Sequence, residues 1–480
     1  MPKLNKSICP KLFSPIKFWK RNPLAKCSIK SIMDKEFNHF LIDLATSNVD
    51  SPMVIINVDE IIKRIERWSE KLKVDPYYYV HCNAHPLIIK IMSAFDLPFS
   101  CSSVAEIERV LSITTNKWPD KFRSDKSGRS DKGRIIVSVP HKTQDLLKTS
   151  CKHNVEFVVA DSEFELVKIK SMAPKASVLI RIQIPRKKTE KTYMETYMCT
   201  KDSKYGVSNR SQVDQMLHIA KESSIEIVGV TFNVGTNCQD PEAFELAVDE
   251  AIKVIEVGTE KQFDMFLLNI GGGFPSSFNY HTENEYMSRL SRVIERANKK
   301  EKLKIIAEPG RYFVESSVWL MVRIIGKRVI ETLNGEQICH YHVNESRFGL
   351  LTVYASRESL PMPFPFYDKQ SPRNNYKSMV WGKSGSLDDL IMSNIELPEL
   401  VIGEYLAFQQ CGAYLPHTNL IGLPNDRDSQ PIYRYFASEK VQKVLEAKGI
   451  IWTDLIKKME NYGCDKRLST DCKFNNNPTV

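Results

Sequence analysis

No stretch of this 480-residue chain stays apolar for the ~18–20 residues that a membrane-spanning helix needs, so nothing in it reads as an integral membrane protein. Cysteine pairs spaced as CxxC are missing too. The eleven cysteines are odd in number and scattered, which fits reduced thiols in a cytoplasmic setting better than a disulfide framework. The basic start is not followed by a continuous apolar run, so the secretory pattern is not met. Acidic residues are absent from positions 1–33, which carry eight Lys or Arg. An acid-free basic start resembles a mitochondrial presequence. Pro2, Pro10, Pro15 and Pro23 would break the amphipathic helix such a signal uses, so a flexible extension is the preferred reading.

The net charge of +9 is concentrated in two places. Residues 1–33 contribute +8, and the segment Lys117–Arg134 contributes +4 from seven basic and three acidic residues; the remainder is therefore 9 − 12 = −3. Both basic segments are rich in Pro, Ser or Gly and read as tails and loops. A nucleic-acid binder more often carries its basic residues on a folded face with aromatic partners, so no nucleic-acid partner is expected.

At roughly 150 residues per domain, the length suits about three domains, or a barrel with a second domain. From about residue 75 to 310, apolar strand-like runs alternate with amphipathic helical patterns. The runs are Tyr77–Val80, Ile135–Val139, Val155–Ala160, Val178–Ile184, Ile225–Val234, Met265–Ile270 and Lys304–Ala307. The intervening helices include Asp161–Ile169, Gln212–Glu222, Pro241–Glu256 and Glu283–Lys299. Strands separated by helices imply a parallel sheet with right-handed crossovers. About eight such units point to an α/β fold of the (β/α)8 type. After Arg311, Val318–Arg328, Ile338–Val343 and Leu400–Ala407 read as strands of a mostly β domain, and Ser438–Ala447 and Trp452–Asn461 as helices. His340 and His342 share one face of a strand; with no further ligands in view, a structural role is preferred to a metal site.

In such a barrel, chemistry collects at the C-terminal strand ends. One strand ends in Gly271-Gly272-Gly273, whose backbone can approach an anion closely; a tight turn explains the same pattern. The next ends in Glu308-Pro309-Gly310-Arg311, setting a carboxylate and a guanidinium beside it; a structural ion pair is the plain alternative. Others end in Asn233-Val234-Gly235-Thr236 and in His81-Cys82-Asn83.

These residues carry a resemblance. The stretches YYYVHCNAHP, FSCSSVAEIERVL, FVVADSEFELVKI, IVGVTFNVGTNCQDPEAF, LLNIGGGFPSS, IIAEPGRYFV, SMVWGKSGSLDDL, ELPELVIGEYLAF and CGAYLP occur in family order between about residues 36 and 440. On them the chain resembles the eukaryotic ornithine decarboxylases and their paralogues, the antizyme inhibitors. Those are fold-type III pyridoxal-phosphate proteins with an alanine-racemase-like barrel and a C-terminal β domain. The resemblance implies a basic extension at 1–35, a segment at 36–56 packing with the β domain, and a barrel at 57–316 bearing the insertion 117–134. A β domain at 317–440 and a helical, partly disordered tail at 441–480 follow.

It also implies that Gly271, Gly272 and Gly273 take the cofactor's phosphate with help from Arg311 and Tyr414, and that Glu308 pairs with the pyridine nitrogen. Glu106 and Arg181 match positions near the ring. Thr236 stands for a serine near the phosphate. The positions that do chemistry depart from the family. His81 stands where the family has the lysine that forms a Schiff base, which needs a primary amine. Asn233 stands for the histidine that stacks on the ring, and Ser100 for an aspartate near the lysine. Glu345 stands for an aspartate that binds the distal amine of ornithine. Gly385 falls where the family has its catalytic cysteine, and Ser386 where it has a second amine-binding aspartate; both normally come from the partner subunit of a head-to-tail dimer.

The expectation is a decarboxylase-like protein of polyamine metabolism with impaired catalysis, holding pyridoxal 5′-phosphate without a covalent bond. The competing reading is an active decarboxylase making putrescine. By resemblance the partners are antizyme, through residues 141–170 with Lys142, Lys148, Lys152, Lys168 and Lys170, and a second subunit in a homodimer or in a heterodimer with an active decarboxylase.

Overall fold

In the computed structural model, residues 35–114, 134–184, 204–276, 280–352, 362–367, 372–415 and 430–464 are described. The basic extension, the insertion apart from Arg134 and the final residues lie outside them. Two compact units are present. One comprises Asp59–Ser317, Gly412–His417 and Glu439–Val480, the other Met1–Val58, Val318–Cys411 and Thr418–Ser438.

The chain enters through α1 (Lys35–Thr46) and β1 (Met53–Asn57), and α2 (Val58–Lys71) begins the barrel unit. Its strands are β2 (Asp75–Pro76), β3 (Tyr78–Tyr79), β4 (Phe99–Cys101), β5 (Ile135–Val137), β6 (Phe157–Ala160), β7 (Ser177–Arg181), β8 (Ile227–Thr231), β9 (Leu267–Asn269) and β10 (Lys304–Ala307). They alternate with α3 (Pro86–Ala94), α4 (Val104–Thr114), α5 (Gln144–Lys152), α6 (Glu163–Met172), α7 (Arg210–Glu222), α8 (Glu242–Glu260) and α9 (Tyr280–Glu301), and α10 (Arg311–Val314) follows β10. All nine strands pair in parallel, in the order β2-β10-β9-β8-β7-β6-β5-β4-β3.

The sheet's two ends are joined through one residue. Tyr77 donates its N–H to Ala307 of β10 (2.8 Å), and Tyr78 donates to Pro98, just before β4 (2.7 Å). Tyr77, the first residue of the expected strand Tyr77–Val80, divides β2 from β3, which makes nine strands of eight repeats and a nearly closed barrel. The split also shortens the strand. Val80–Cys82 form a single turn, so His81 sits on a turn rather than in the sheet. Strands in a sheet covered on both faces read as continuous apolar runs, and Ile136, Phe157, Val159, Leu179, Val228, Leu267 and Ile306 with Tyr77 fill the interior. The helix expected from Pro241 begins with Asp240 Oδ1 accepting the Glu242 N–H at 2.9 Å.

The second unit holds β1, β11 (Val318–Glu331), β12 (Gln337–Val343), β13 (Phe364–Phe366), β14 (Asn375–Trp381), β15 (Leu390–Pro398), β16 (Tyr405–Phe408) and β17 (Ile432–Phe436). Phe37, Leu41, Leu44 and Ala45 recur at helical spacing along α1 and bury against Met53, Ile55, Trp319, Met321, Tyr405 and Phe436. The expected strand Leu400–Ala407 starts later, because Gly403 adopts φ +97° and Glu404 donates back to Val401, turning the chain before Tyr405. His340 accepts a hydrogen bond from the Trp381 indole (3.2 Å), so its ring is used within the sheet. The barrel unit resumes with α11 (Glu439–Ala447) and α12 (Trp452–Cys464), where Leu445 is fully buried and the Lys448 ammonium lies 4.4 Å from the Phe95 ring centroid. Among the described residues no helix is long and apolar enough to cross a membrane.

One expectation fails on α5 and α6. Lys142 is not presented at the surface. It is 3% exposed, and its Nζ donates to the carbonyls of Val139 (3.2 Å), Pro140 (2.9 Å) and Val159 (2.5 Å) and meets Glu165 at 2.8 Å. The loop after β5 leaves carbonyls pointing inward, and an ammonium satisfies them. Burial pushes this amine down to about 8, with Glu165 pulling the other way. Lys168 is tied to Glu165 and to the Lys142 carbonyl, and Lys170 donates to Ser224. Lys148 and Lys152 on α5 remain exposed, as do Phe164 and Val167 on α6, at 78% and 57%. Replacing Lys142 by Ala should therefore cost about 3–5 kcal/mol, because it breaks a buried ion pair. Lys148→Ala should stay within about 0.5 kcal/mol of the parent. Urea unfolding followed by circular dichroism distinguishes the two; equal losses would contradict the placement of Lys142.

Candidate functional site

The C-terminal ends of β3, β4, β8, β9 and β10 bring together most of the barrel residues singled out in the sequence. Glu308 follows β10 and is 8% exposed. Its carboxylate accepts from Ser100 Oγ of β4 at 2.6 Å and from Asn269 Nδ2 of β9 at 2.5 Å. Ser100 Oγ also bonds Ser138 (2.9 Å). Arg181, last in β7, carries a guanidinium that burial pushes down, with Glu308 and Asp161 acting against that shift.

Beside this floor lies a cup. Gly271 and Gly273 have φ of +65° and +105°. A Cβ on Gly271 would sit 2.0 Å from the Phe232 carbonyl oxygen, and one on Gly273 2.4 Å from that of Gly235. Only glycine fits where the two strand-end loops meet. Asn269 Oδ1 accepts the Gly271 N–H (2.9 Å), and Asn233 Oδ1 accepts the Gly235 N–H (2.8 Å). The amides of Gly272 and Gly273 donate to none of the described residues. Thr236 Oγ1 accepts from Arg311 Nε (3.2 Å) and Nη2 (3.1 Å), while Arg311 Nη1 pairs with Glu315. The Arg311 guanidinium lies 5.4 Å from the Tyr414 ring centroid. Tyr414 has φ +60°, a strained setting for a bulky side chain, and donates its N–H to the Cys82 carbonyl at 2.7 Å. Burial raises its hydroxyl, and Thr236 hydrogen-bonds it.

His81 borders the same Tyr414 ring. Its ring centroid is 6.3 Å from Tyr414 and 5.8 Å from Tyr79. Nδ1 lies 3.0 Å from Glu106 Oε1, and Glu106 Oε2 accepts the Ser102 N–H at 2.7 Å. The Glu106 hydrogen bond raises the imidazole above its ordinary value against a smaller opposing effect of burial.

The remaining candidates belong to the other unit. Glu345 is buried, and its Oε1 accepts the N–H groups of Ser346 (2.7 Å) and Leu350 (3.2 Å), so this carboxylate is folded back on its own chain. Burial raises it above the usual carboxylate range. Gly385 and Ser386 are exposed in the β14–β15 loop, and nothing lies within 4 Å of where a Gly385 side chain would begin. Sequence reasoning passed over Asn269, Tyr79, Ser138 and Asp389. Asn269 alone carried a signal, as a polar residue in an otherwise apolar strand. Asp389, buried, accepts from Arg347 N (2.7 Å), Ser346 Oγ (3.0 Å) and Ser384 N (2.9 Å) and so anchors the loop bearing Gly385.

Two free amides, a hydroxyl and a guanidinium suit a phosphate. A buried carboxylate nearby suits a protonated ring nitrogen. The residues present therefore fit pyridoxal phosphate except at position 81, which offers imidazole and no amine. A parallel barrel with this anion cup and carboxylate at its strand ends defines a pyridoxal-phosphate-type barrel protein. The model of the pyridoxal-dependent decarboxylase, pyridoxal binding domain matches residues 58–315, and the chain belongs to that family. It is 30% identical over 401 residues to rat (Rattus norvegicus) ornithine decarboxylase, covering 80% of both chains. It is 29% identical over 374 residues to antizyme inhibitor 2 of Xenopus laevis, covering 75% of this chain and 76% of that one. The arginine decarboxylase structure of Paramecium bursaria Chlorella virus superposes with a TM-score of 0.70 at 24% identity, over 84% of this chain and 100% of that one.

The raised imidazole has a defined sign. The stability contributed by the His81–Glu106 pair is present below the unfolded value near 6.5 and is lost as pH rises through the higher folded value. Proton NMR should show His81 titrating above the ordinary histidine value, and Glu106→Gln should bring it down. No change in Glu106→Gln would contradict the pairing.

Proposed function

We propose that this chain is an ornithine-decarboxylase-like protein of polyamine metabolism that holds pyridoxal phosphate without a covalent bond and does not decarboxylate ornithine. One observation carries this reading: the turn after β3 presents His81, engaged by Glu106, where a primary amine is needed. When bound, the cofactor would supply an electron-withdrawing ring. Gly272, Gly273, Thr236, Arg311 and Tyr414 hold its phosphate in this reading, and Glu308 keeps its ring nitrogen protonated. Asn233, committed to the Gly235 amide, offers no aromatic face to stack on a ring. Glu345, turned onto Ser346 and Leu350, has little left for a substrate ammonium.

As a non-catalytic member, the chain acts through partners. The relative named antizyme inhibitor supports antizyme, and the exposed Lys148, Lys152, Phe164 and Val167 on α5 and α6 give it a surface. The insertion at 117–134 precedes that surface in sequence, and all of it but Arg134 lies outside the described residues. Pairing with itself or with an active decarboxylase belongs to the same proposal.

Borohydride reduction with pyridoxal phosphate should leave no cofactor fixed at position 81, and labelled ornithine should release no carbon dioxide. His81→Lys alone should stay without turnover, since Asn233, Gly385 and Ser386 are unchanged; measurable turnover in that variant refutes this. Antizyme pull-down should succeed with the parent chain and weaken at least tenfold in Phe164→Asp. No binding at micromolar concentration removes the partner reading.

A further inference from the structure

The cup and His81 both border the Tyr414 ring. Arg311 of the cup is 5.4 Å from its centroid, and the His81 ring centroid is 6.3 Å from it. A small ligand anchored at the cup and extending along Tyr414 therefore comes to His81. The imidazole is aimed. Its Nδ1 faces Glu106 Oε1 at 3.0 Å, and that carboxylate is itself fixed by the Ser102 amide. With Nδ1 so engaged, Nε2 is the ring atom left for a ligand, on a side chain 58% exposed.

We infer that His81 makes this a site for phosphate esters carrying an oxygen substituent, selecting against the corresponding amines, with Nε2–H donating to that oxygen. The inference rests on the phosphate-cup reading above. An imidazolium donates to a hydroxyl or aldehyde oxygen and repels an alkylammonium. Once the imidazole is neutral, Nε2 becomes an acceptor, the repulsion disappears and an ammonium gains a partner. A lysine at this place would react with aldehydes; a histidine ranks ligands by charge instead.

Glu106 on α4, Tyr79 on β3 and Tyr414 border His81, and Cys82 follows it in the chain; behind them, Cys101 on β4 and Glu308 after β10 act on Glu106 or Tyr79, and Arg311 on α10 faces Tyr414. Tyr79, Cys101 and Tyr414 are all raised by burial and stay neutral across the range of interest. His81 is the base there, and Glu106 raises it above the ordinary imidazole value.

The test uses pyridoxine 5′-phosphate and pyridoxamine 5′-phosphate, which share ring and phosphate and differ as alcohol and amine. Calorimetry on the full chain at pH 6.0 and pH 8.5 gives the ratio of their affinities, in which titration of the common phosphate cancels. The alcohol should bind about tenfold tighter at the lower pH, and the ratio should fall to about threefold or less at the higher. In His81→Gln, neutral throughout, the ratio should be the same at both. A wild-type ratio that does not change with pH, or a change that survives His81→Gln, overturns the inference while leaving the cup intact. Failure of both esters and of inorganic phosphate to bind, or undiminished binding in Arg311→Gln, overturns the phosphate-cup reading and this inference with it.

Discussion

The Glu106 carboxylate has two partners, the Ser102 amide and the His81 imidazole, and what the barrel mouth can do follows from the second. A lysine reaching the same point would bring a flexible amine able to bond covalently. The imidazole brings a planar ring whose Nδ1 is already engaged, and no primary amine. The neighbouring polar groups are committed in the same inward manner. Asn233 caps a glycine amide, and Ser100 supports Glu308 from beneath. The mouth is ordered by its own hydrogen bonds.

That order changes the weight of the glycine loop. An intact Gly271-Gly272-Gly273 at first suggests a retained ligand. The backbone gives a reason that needs none, since Phe232 and Gly235 carbonyls occupy the space any side chain at 271 or 273 would take. Arg311 likewise has a structural partner in Glu315. The case for a phosphate rests on what packing does not require: the unengaged amides of Gly272 and Gly273, and a Thr236 hydroxyl turned to both Arg311 and Tyr414.

Much of the barrel was legible in the sequence because parallel strands covered on both faces leave unbroken apolar runs, several of them closed by glycine or proline. The helix patterns centred on Val213, Ala247 and Leu290 survive for the same reason of period. The split at Tyr77 was not legible, since hydropathy does not register which neighbour an N–H chooses. Nor was the turn before Tyr405, which depends on one glycine's φ. At the site, residue types marked where His81, Asn233 and Gly385 depart from the family, but not where the replacements point. Glu345 keeps the charge of an aspartate with one more methylene, and that added reach takes the carboxylate to Ser346 and Leu350. Lys142 looked like a surface lysine by spacing, and only the inward carbonyls of Val139, Pro140 and Val159 show why it is buried.

Charge at the mouth is arranged in near-neutral sets. Glu106 faces His81, Glu315 faces Arg311, and Glu308 is flanked by Ser100 and Asn269 with Arg181 close enough to feel its charge. In each set the carboxylate and its cation or donors come from the same chain and need no ligand to balance them. An incoming dianion then finds a guanidinium that Glu315 already shares, and the cup alone holds it with donors rather than with surplus charge. His81, which Glu106 raises above its ordinary value, is the base in these sets that gains a proton as pH falls. Its protonation adds one positive charge and leaves a donor on the ring. In the proposed reading, an imidazole where the family has an amine exchanges covalent chemistry for a dependence on that proton.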